Sequence, residues 1–582
     1  MSTASNDHSD LSKESLGKQV SSFGYIFWVA NWIELVERYA WCGVRVVSPL
    51  FIVGVFDKGG LQLTHTQRGE IFAVWAFIQT FVPVLSGGLA DRFGCKLCVA
   101  LATVINIAAY VIMGYTVVLA EWLCGMSLAE ARLENADYAY QIFFVGVMFL
   151  GFGTGIFKPG LQGLLAKEMP KNAASLGWSI FYQIVNVGAF LGPFVAGKLR
   201  TEYGFRYVFL ASAAAISLNF LPLLIFREPP RTKAVGKSVI DVLFKTTKGL
   251  LDPRLFFFTI SFAGFWLMFM QLFDSLPVYI TDWVDTRGLA QMLQKVFGIF
   301  GESASKIVPV EDGKLAQEWL VNVNALQICF LAFLVGYFTG KLRSLTAIIV
   351  GIGIAAVSIF ALGVSASGWV ILGAIVAFSL GEMMASPTTN RYLASISPPG
   401  KEGQYMGYLN FTVGIGWSIG NIISGRFYEE HGDKAGLACR YMIDQLHMAK
   451  EQVEAIDKAE VMKVFEKTVG MDAWGARQLL WDTYHPYVLW YILAAIGALS
   501  MLALLFYTRI VNAANKNPDH PLNRQGYLWV LAFLVLICLT LVAAIVKEPD
   551  SIGLWLNLSF FTLLLLVGAT TSGKETDGSS AE

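Results

Sequence analysis

The sequence predicts an all-α polytopic membrane protein that crosses the bilayer about 14 times. Of its 582 residues, 55% are hydrophobic and only 15% are charged, whereas soluble domains carry roughly 25% charged residues. The mean hydropathy is +0.56. The apolar residues form long continuous runs, and a helix of about 20 such residues spans a hydrocarbon layer about 30 Å thick. Strands of a membrane β-barrel would be shorter and would alternate, so the runs predict helices.

The charge balance and the cysteines exclude several functional classes. Lys and Arg together number 43, as do Asp and Glu, so there is no basic excess with which to attract nucleic acid. The seven cysteines show neither metal-ligand spacing nor a paired framework. The six histidines lie in the N-terminal tail or in predicted loops. We therefore expect no metal site, no nucleic-acid partner and no enzymatic activity.

The apolar runs give approximate positions for the helices. The predicted spans are 23–56, 69–90, 97–120, 139–165, 174–198, 206–226, 255–284, 319–340, 345–364, 369–394, 404–427, 485–508, 526–546 and 553–570.

The loops predict the orientation in the membrane. Short loops on the cytosolic side of a membrane protein carry an excess of Lys and Arg. The linker 228–254 is basic, whereas the loop 121–138, which alternation places outside, is acidic. The polar tail 1–22 lacks the pattern of a signal peptide. We expect an integral protein of the inner or plasma membrane with both termini cytosolic.

The basic linker divides the first twelve spans into two groups of six, which is typical of a duplicated transporter core. In chain order, the predicted units are a cytosolic tail (1–22), an N-terminal bundle (23–227), the linker (228–254), a C-terminal bundle (255–508), a connection (509–525), two extra membrane helices (526–570) and a second cytosolic tail (571–582). Insertions near 285–318 and 428–484 are expected outside. The second insertion is interpreted as a cap on the mouth of the protein, with a partner-binding domain as the alternative.

Six ionisable residues fall inside predicted spans. They are Glu34, Glu37, Arg38 and Arg45 in the first span, Lys158 in the fourth and Glu382 in the tenth. Each charge at mid-bilayer costs about 2.5–3.5 kcal/mol on insertion scales, which makes such residues candidates for function. The alternative is a buried ion-pair network that only ties helices together.

Lys158 and Glu382 lie in matching helices of the two halves, where a binding site at the repeat interface is expected. A cavity with bases on one wall and an acid on the other suits a zwitterion. Arg and Lys can hold a carboxylate, and Glu382 can pair with an ammonium group.

Several segments resemble motifs of the proton-coupled oligopeptide transporter family, within the major facilitator superfamily. Glu34, Glu37, Arg38 and Tyr39 resemble its E-x-x-E-R-F motif. The segment 381–387 resembles the G-E-L-x-x-S-P motif of the tenth helix. Together they indicate the major facilitator fold of six plus six helices, here with two extra C-terminal transmembrane helices.

Other segments support the resemblance. Lys158 and Pro159 resemble the fourth-helix lysine motif, and the segment 181–188 resembles the fifth-helix F-Y-x-x-x-N-x-G element. Asn324 lies in a weaker likeness of the eighth-helix asparagine segment. The segment that contains Gly87, Asp91, Arg92 and Gly94 resembles the superfamily's cytoplasmic signature.

The resemblance implies cotransport of protons with di- and tripeptides by alternating access. It needs no organic cofactor, since the proton is the coupling ion. By matched position, the implied substrate-binding residues are Arg38, Arg45 and Lys158 for the peptide carboxyl end, Asn186, Asn324 and Glu382 for the amino end, and Trp266 for the side-chain pocket. The implied proton-coupling residues are Glu34, Glu37 and Arg38.

The sequence also departs from the family pattern. Trp41 and Cys42 replace the tyrosine pair that follows the first-helix motif, and Met270 stands where the seventh helix has a glutamate. Asp274, one turn further along, is either a substitute for that glutamate or an ordinary polar residue near the end of the span.

Three alternative functions follow from the residues. The protein could be a proton-linked carrier of another zwitterion or organic anion, a transporter-like sensor, or, least in keeping with the sequence, a membrane-embedded enzyme. The partners expected in every transport case are a small-molecule substrate and the lipid bilayer. The sequence does not set an oligomeric state.

Overall fold

The computed structural model describes residues 16–127, 134–170, 173–225, 253–397 and 402–516. In this part of the chain, twelve long helical passages follow one another in the order of the first twelve predicted spans. They are α1 (Tyr25–Val53), α2 (His65–Phe93), α3 (Cys95–Gly114), α4 (Glu134–Glu168), α5 (Ala174–Tyr203), α6 (Phe205–Ser217 with Phe220–Ile225), α7 (Pro253–Asp274), α8 (Val323–Gly340), α9 (Ser344–Leu362), α10 (Gly368–Ile396), α11 (Glu402–His431) and α12 (Val488–Lys516).

Shorter elements occupy the connections. Those outside the two insertions are helices at Leu16–Ser21, Phe56–Lys58, Thr116–Cys124, Leu276–Trp283 and Gln317–Val321. The first insertion contains the helices Arg287–Gly298 and Glu302–Ser305, followed by an antiparallel hairpin of Val310–Glu311 and Lys314–Leu315. The second insertion folds into the helices Lys434–Asp444, Lys450–Glu454, Val461–Val469 and Ala473–Tyr484, which we call the cap.

The all-α membrane architecture predicted from the sequence is confirmed. Within the described residues, nine helices are long and apolar enough to cross a membrane. α1 is not among them because four ionisable residues interrupt its apolar sequence. The predicted spans 526–546 and 553–570 lie outside the described residues, as do most of the basic linker and both termini. The total of 14 spans therefore stays a prediction.

The helix contacts repeat with a shift of six helices. In the first half, α1 packs on α5 and α6, α2 packs on α4, and α3 packs on α4 and α6. In the second half, α7 packs on α11 and α12, α8 packs on α10, and α9 packs on α10 and α12. The two largest contacts between the halves, α2 with α11 and α5 with α8, are exchanged by the same shift. The chain therefore folds as two equivalent six-helix bundles.

The insertions lie together at one end of the bundles, which we call the cap end. The cap rests on the second half, because the Trp283 indole donates to the Gly432 carbonyl at 2.9 Å and Arg477 of the cap donates to the Trp283 carbonyl. The first half meets these segments at its own loop, where Lys58 pairs with Glu311 at 3.4 Å.

Close helix contacts depend on glycine at two places that position the site. A Cβ atom on Gly192 of α5 would lie 2.3 Å from the Tyr39 carbonyl and 2.8 Å from the Gly43 nitrogen of α1. In the second half, a Cβ on Gly381 of α10 would lie 2.5 Å from the Gly351 carbonyl of α9. Small residues let membrane helices approach in this way.

We expect Gly192→Ala to destabilise the first half, since backbone atoms of α1 occupy the space that the methyl group needs. Overpacking of this kind costs about 1–3 kcal/mol. Thermal unfolding of the purified protein in detergent measures the effect. The matched control is Gly373→Ala in α10, where nothing lies within 4 Å of the new Cβ. Equal unfolding temperatures for the two variants would contradict the packing.

Candidate functional site

A central cavity of about 220 Å³ lies between the two halves. α1 and α5 form its wall on the first half, and α7, α8 and α10 form its wall on the second half. Of the sequence-predicted site residues, the cavity brings together Arg45, Asn186, Asn324 and Glu382. The rest of the lining is mainly apolar and aromatic, which is usual for a small-molecule site.

The charged residues of α1 form a buried network beside this cavity. Arg38 Nε donates to Glu37 Oε2 at 2.5 Å and lies 3.5 Å from Glu34 Oε1. All three side chains are buried. Glu37 Oε1 has no hydrogen-bond partner among the described residues. One arginine is therefore shared by two carboxylates, as their spacing along one helix face predicted.

Lys158 stands close to this network but does not line the cavity. Its side chain is half-buried in α4, and the charges of Arg38, Glu37 and Glu34 all act on it. It makes no ion pair with another residue in the described ranges. Together with Glu34, Glu37 and Arg38, it gives a cluster of two acids and two bases.

Glu382 projects into the cavity from the second half. The close contact of α9 and α10 at Gly381 fixes the backbone beside it. Asn324 of α8 donates to Glu382 Oε2 at 2.7 Å and to Ser379 Oγ at 2.9 Å. The glutamate is half-buried and has no cationic partner among the described residues.

Asn186 lies on the opposite wall. Its amide donates to the Tyr182 carbonyl of its own helix at 2.8 Å. One turn further along α5, the Phe190 carbonyl accepts from Asn322 at 2.8 Å. Asn322 was not a sequence-predicted site residue, yet it lines the cavity and joins α5 to the start of α8. The sequence could have indicated it, because Asn322 lies two residues before Asn324 in the segment that resembles the eighth-helix asparagine segment.

Asp274 is the last residue of α7, as expected of a residue near the end of the span, and it is paired with Arg45 rather than being an ordinary polar residue. Arg45 Nε donates to Asp274 Oδ1 at 2.9 Å, and Nη2 contacts the same oxygen. The indole of Trp417 donates to Oδ2 at 2.7 Å, and Asn421 does so at 2.8 Å. The Asp274 side chain is fully buried.

The Arg45–Asp274 pair and its hydrogen bonds link α1, α7 and α11, and α2 contacts the same residues. Arg68 of α2 donates to the backbone carbonyl of Asp274 at 2.7 Å. The guanidinium carbon of Arg45 lies 4.3 Å from the ring centroid of Trp417 and 5.4 Å from that of Trp75. Such an aromatic setting stabilises a partly desolvated cation. The pair therefore joins the two halves on the cap side of the cavity.

Trp266 does not line the cavity, so its implied place in the side-chain pocket is not seen in this arrangement. It is buried among Phe262, Phe265 and Phe269 of its own helix. Met270 and Phe273, together with Phe269, form the cavity wall instead. Trp266 lies on the same face of α7 as Met270 and Phe273, but one turn nearer the start of the helix, where neighbouring rings enclose it.

The cytoplasmic signature is only partly within the described residues. Gly94 precedes α3 and has a φ of 95°, a conformation that favours glycine. Gly87, Asp91 and Arg92 lie in α2, and the side chains of Asp91 and Arg92 are outside the described part. No group of three or more potential metal ligands occurs among the described residues.

A second set of contacts joins the halves at the cap end. Arg200 of α5 pairs with Glu318, which is fully buried, and with Glu311 of the hairpin at 2.8 Å. Burial is the largest single effect on Glu311 and raises its pKa, but the charges and hydrogen bonds of Arg200 and Lys58 together lower it below its usual value. Asp433 likewise has a lowered pKa, because His65, Lys458 and the Gly436 amide together outweigh the effect of burial.

We expect the Arg45–Asp274 pair to show strong coupling in a double-mutant cycle. Removing one partner leaves a buried charge uncompensated and costs about 3–5 kcal/mol. Arg45→Gln and Asp274→Asn should therefore each lower the unfolding temperature sharply, while the double variant should lose much less than the sum.

The control cycle uses the exposed pair of Arg287 and Asp285, for which solvent screening leaves little coupling. Additive losses at Arg45 and Asp274 would show that the two charges do not stabilise each other.

The comparisons with known proteins agree with this architecture. The family model of the Major Facilitator Superfamily matches residues 39–421, which is more than half of the chain. Peptide transporter YePEPT of Yersinia enterocolitica subsp. palearctica serotype O:3 (strain YE-P4) is 23% identical over 465 residues, covering 67% of this chain and 85% of the relative.

Another relative is named for a different role. Multidrug resistance protein MdtH of Shigella dysenteriae serotype 1 (strain Sd197) is 22% identical over 397 residues, covering 66% of this chain and 83% of the relative. Among solved structures, a mutant of the peptide transporter POT is 17% identical, with a TM-score of 0.53, over 84% of this chain and 100% of that chain.

The likeness to the solved transporter shows a shared fold, and the family match covers both halves of the two-fold arrangement of helices. The chain therefore belongs to the Major Facilitator Superfamily and is an integral membrane transporter with the fold of a POT peptide transporter.

Proposed function

We propose that the protein couples an inward movement of protons to the uptake of di- and tripeptides by alternating access. The observation that carries this proposal is the central cavity between the halves, where Glu382 stands on one wall and Arg45 and Asn186 stand on the other. An acid and a base on opposite walls suit the two charged ends of a short peptide.

In this proposal Glu382 receives the peptide ammonium group. Asn324 orients the glutamate through the 2.7 Å hydrogen bond and leaves its second oxygen available. Because no cation neutralises Glu382 among the described residues, an incoming ammonium group gains a full charge pair. Asn186 and Asn322 supply amide groups along the peptide backbone on the other side of the cavity.

The peptide carboxylate competes with Asp274 for Arg45. Arg45 lines the cavity, and its present partner holds α1 against α7 and α11. A carboxylate that takes the place of Asp274 weakens this link between the halves. Substrate binding thus favours separation at the cap end, since a ligand shifts a conformational equilibrium through its different affinity for the two states.

The proposed coupling site is the shared arginine of α1. Protonating Glu37 or Glu34 removes part of the charge that holds Arg38 and frees its guanidinium for an anionic group. Proton binding and carboxylate binding then act on the same cluster, with Lys158 as the second base.

A second candidate is a carrier of amines that lack a carboxylate. Arg45 is already neutralised by Asp274, which leaves Glu382 as the unpaired charge among the described cavity residues. The apolar wall of Phe269, Met270 and Phe273 fits such a ligand, and one relative bears the name of a multidrug resistance protein. Peptides with blocked ends distinguish the two candidates.

The direction of transport follows from the proposed orientation. With both termini cytosolic and the cap outside, an inward proton gradient across the inner or plasma membrane drives substrate into the cell. The basic linker and the acidic loop 121–138 support this orientation.

We expect Glu382→Gln to weaken binding of free dipeptides at least about tenfold, which is about 1.4 kcal/mol, and to affect N-acetylated peptides little. Lys158→Gln should instead penalise ligands with a free carboxylate relative to their amides. Competition against uptake by proteoliposomes with an inward proton gradient gives both values. Glu302→Gln, an exposed position, is the matched control. Equal losses for blocked and unblocked ligands would remove Glu382 from the binding site and would separate Lys158 from carboxylate binding.

We expect Glu37→Gln to abolish uptake driven by an inward proton gradient while it spares counterflow exchange, which needs no net proton movement. Met270→Glu should change the pH dependence of uptake, because it adds a titratable group to the cavity wall. Both variants are measured in proteoliposomes with the wild-type protein alongside. A Glu37→Gln protein that still concentrates substrate with only a proton gradient would rule out this coupling site.

A further inference from the structure

The helix Arg287–Gly298 of the first insertion carries two adjacent apolar stripes. The first, with Leu289 and Leu293, packs against the protein. The second consists of Met292, Val296, Ile299 and Phe300, whose exposed fractions are 36%, 44%, 80% and 82%. The helical path continues past Gly298, since Ile299 and Phe300 donate to the Val296 and Phe297 carbonyls. At about 100° per residue, these four side chains fall on one side. We call them the exposed stripe.

The exposed stripe is not a general property of the segments outside the membrane helices. Both insertions lie entirely within the described residues. The second insertion is longer, yet its exposed large apolar residues are only Leu446 and Met471, at 38% and 45%. Ile299 and Phe300 match instead the membrane-facing surface of α8, where Phe330 is 76% exposed.

Contacts with α5 fix the height of the exposed stripe relative to the membrane helices. The Phe297 ring lies 5.8 Å from that of Trp319, which stacks on Phe194 of α5 at 4.6 Å. Lys198, one turn further along α5, donates to the Lys306 carbonyl just beyond the stripe. Between Phe194 and Lys198 the sequence of α5 changes from apolar to charged. The stripe therefore lies level with the polar boundary of the membrane.

Cations and aromatic residues at this level suit a lipid headgroup region. Lys295 is exposed next to the stripe, and Lys306 is 73% exposed. Lysine stems cover apolar surface while their charged ends reach water or phosphate. Tyr203 and Tyr207, at the cap ends of α5 and α6, are 62% and 52% exposed. Tyrosine is enriched at membrane–water interfaces.

We propose that the first insertion is an interfacial membrane anchor. The helix Arg287–Gly298 lies in the leaflet on the cap side, phospholipid acyl chains cover the exposed stripe, and Lys295 and Lys306 face the headgroups. A helix with one apolar side and a polar side of Gln and Lys binds at this depth of a bilayer. The anchor holds the hairpin that presents Glu311 to Arg200. Lipid on the cap side therefore affects the ion pair of these two residues, which joins the halves.

The first test places a polarity-sensitive fluorophore on the stripe. Phe300→Cys is labelled in a background with serine in place of the native cysteines, and the protein is reconstituted in vesicles with or without brominated acyl chains. The matched control is Gln294→Cys, an exposed position turned away from the stripe. We expect a blue-shifted emission that is quenched by the brominated lipid at position 300 and neither effect at position 294. Water-exposed emission at both positions overturns the proposal.

A second test uses the wild-type protein and so does not depend on the folding of a variant. Vesicles contain a phospholipid with a diazirine in its acyl chain, and mass spectrometry locates the adducts after illumination. We expect adducts on Met292, Val296, Ile299 and Phe300 and none on the cap helices. Absence of adducts on the stripe would overturn the anchor. Disulfide pairing of two Phe300→Cys copies without lipid quenching would also overturn it and would assign the stripe to a protein partner.

Discussion

The buried carboxylate of Asp274 is the interaction on which the arrangement of the two halves depends. A charge without access to water needs compensation, and its cost without partners is several kcal/mol. Asp274 finds that compensation in Arg45 of the first half and in Trp417 and Asn421 of the second. Because the partners come from α1 and α11, the carboxylate can be satisfied in full only when the halves are together on this side of the cavity.

The same requirement organises the other charges inside the membrane. Arg38 is balanced by Glu37 and Glu34 in its own helix, and Arg200 is balanced by Glu318 and Glu311. Glu382 departs from this pattern, since it has an amide rather than a cation as its partner. The cavity is consequently most receptive to positive charge at Glu382 and to negative charge wherever an existing ion pair can be exchanged.

The fold was predictable because its main cause is local. Apolar runs of about 20 residues must satisfy their own backbone hydrogen bonds in lipid, and helices do so wherever the run occurs. The charges of α1 were equally visible, because their cost in a membrane marks them before any contact is known. The i, i+4 relation of Glu34 and Arg38 also gave their ion pair directly.

The partner of Arg45 could not be read from the sequence in the same way. Asp274 lies in another half of the molecule, one turn beyond the position where the resemblance placed an acid, and only the packing of α7 shows which turn faces α1. Trp266 illustrates the same limit, because it shares a helix face with Met270 and Phe273 and still lies beyond the end of the cavity. The turns of a helix that meet a cavity are set by neighbours distant in sequence, so they became visible only with the packed bundle.

The seating of the cap has a practical consequence for observing the transport cycle. Its contacts through Trp283, Gly432 and Arg477 belong to the second half, whereas it reaches the first half at His65, whose Nε2 is 3.9 Å from Asp433. We therefore expect the cap to move with the second half during the transport cycle. A pair of probes, one on the cap and one on the loop between α1 and α2, converts the rocking of buried helices into a distance change in water.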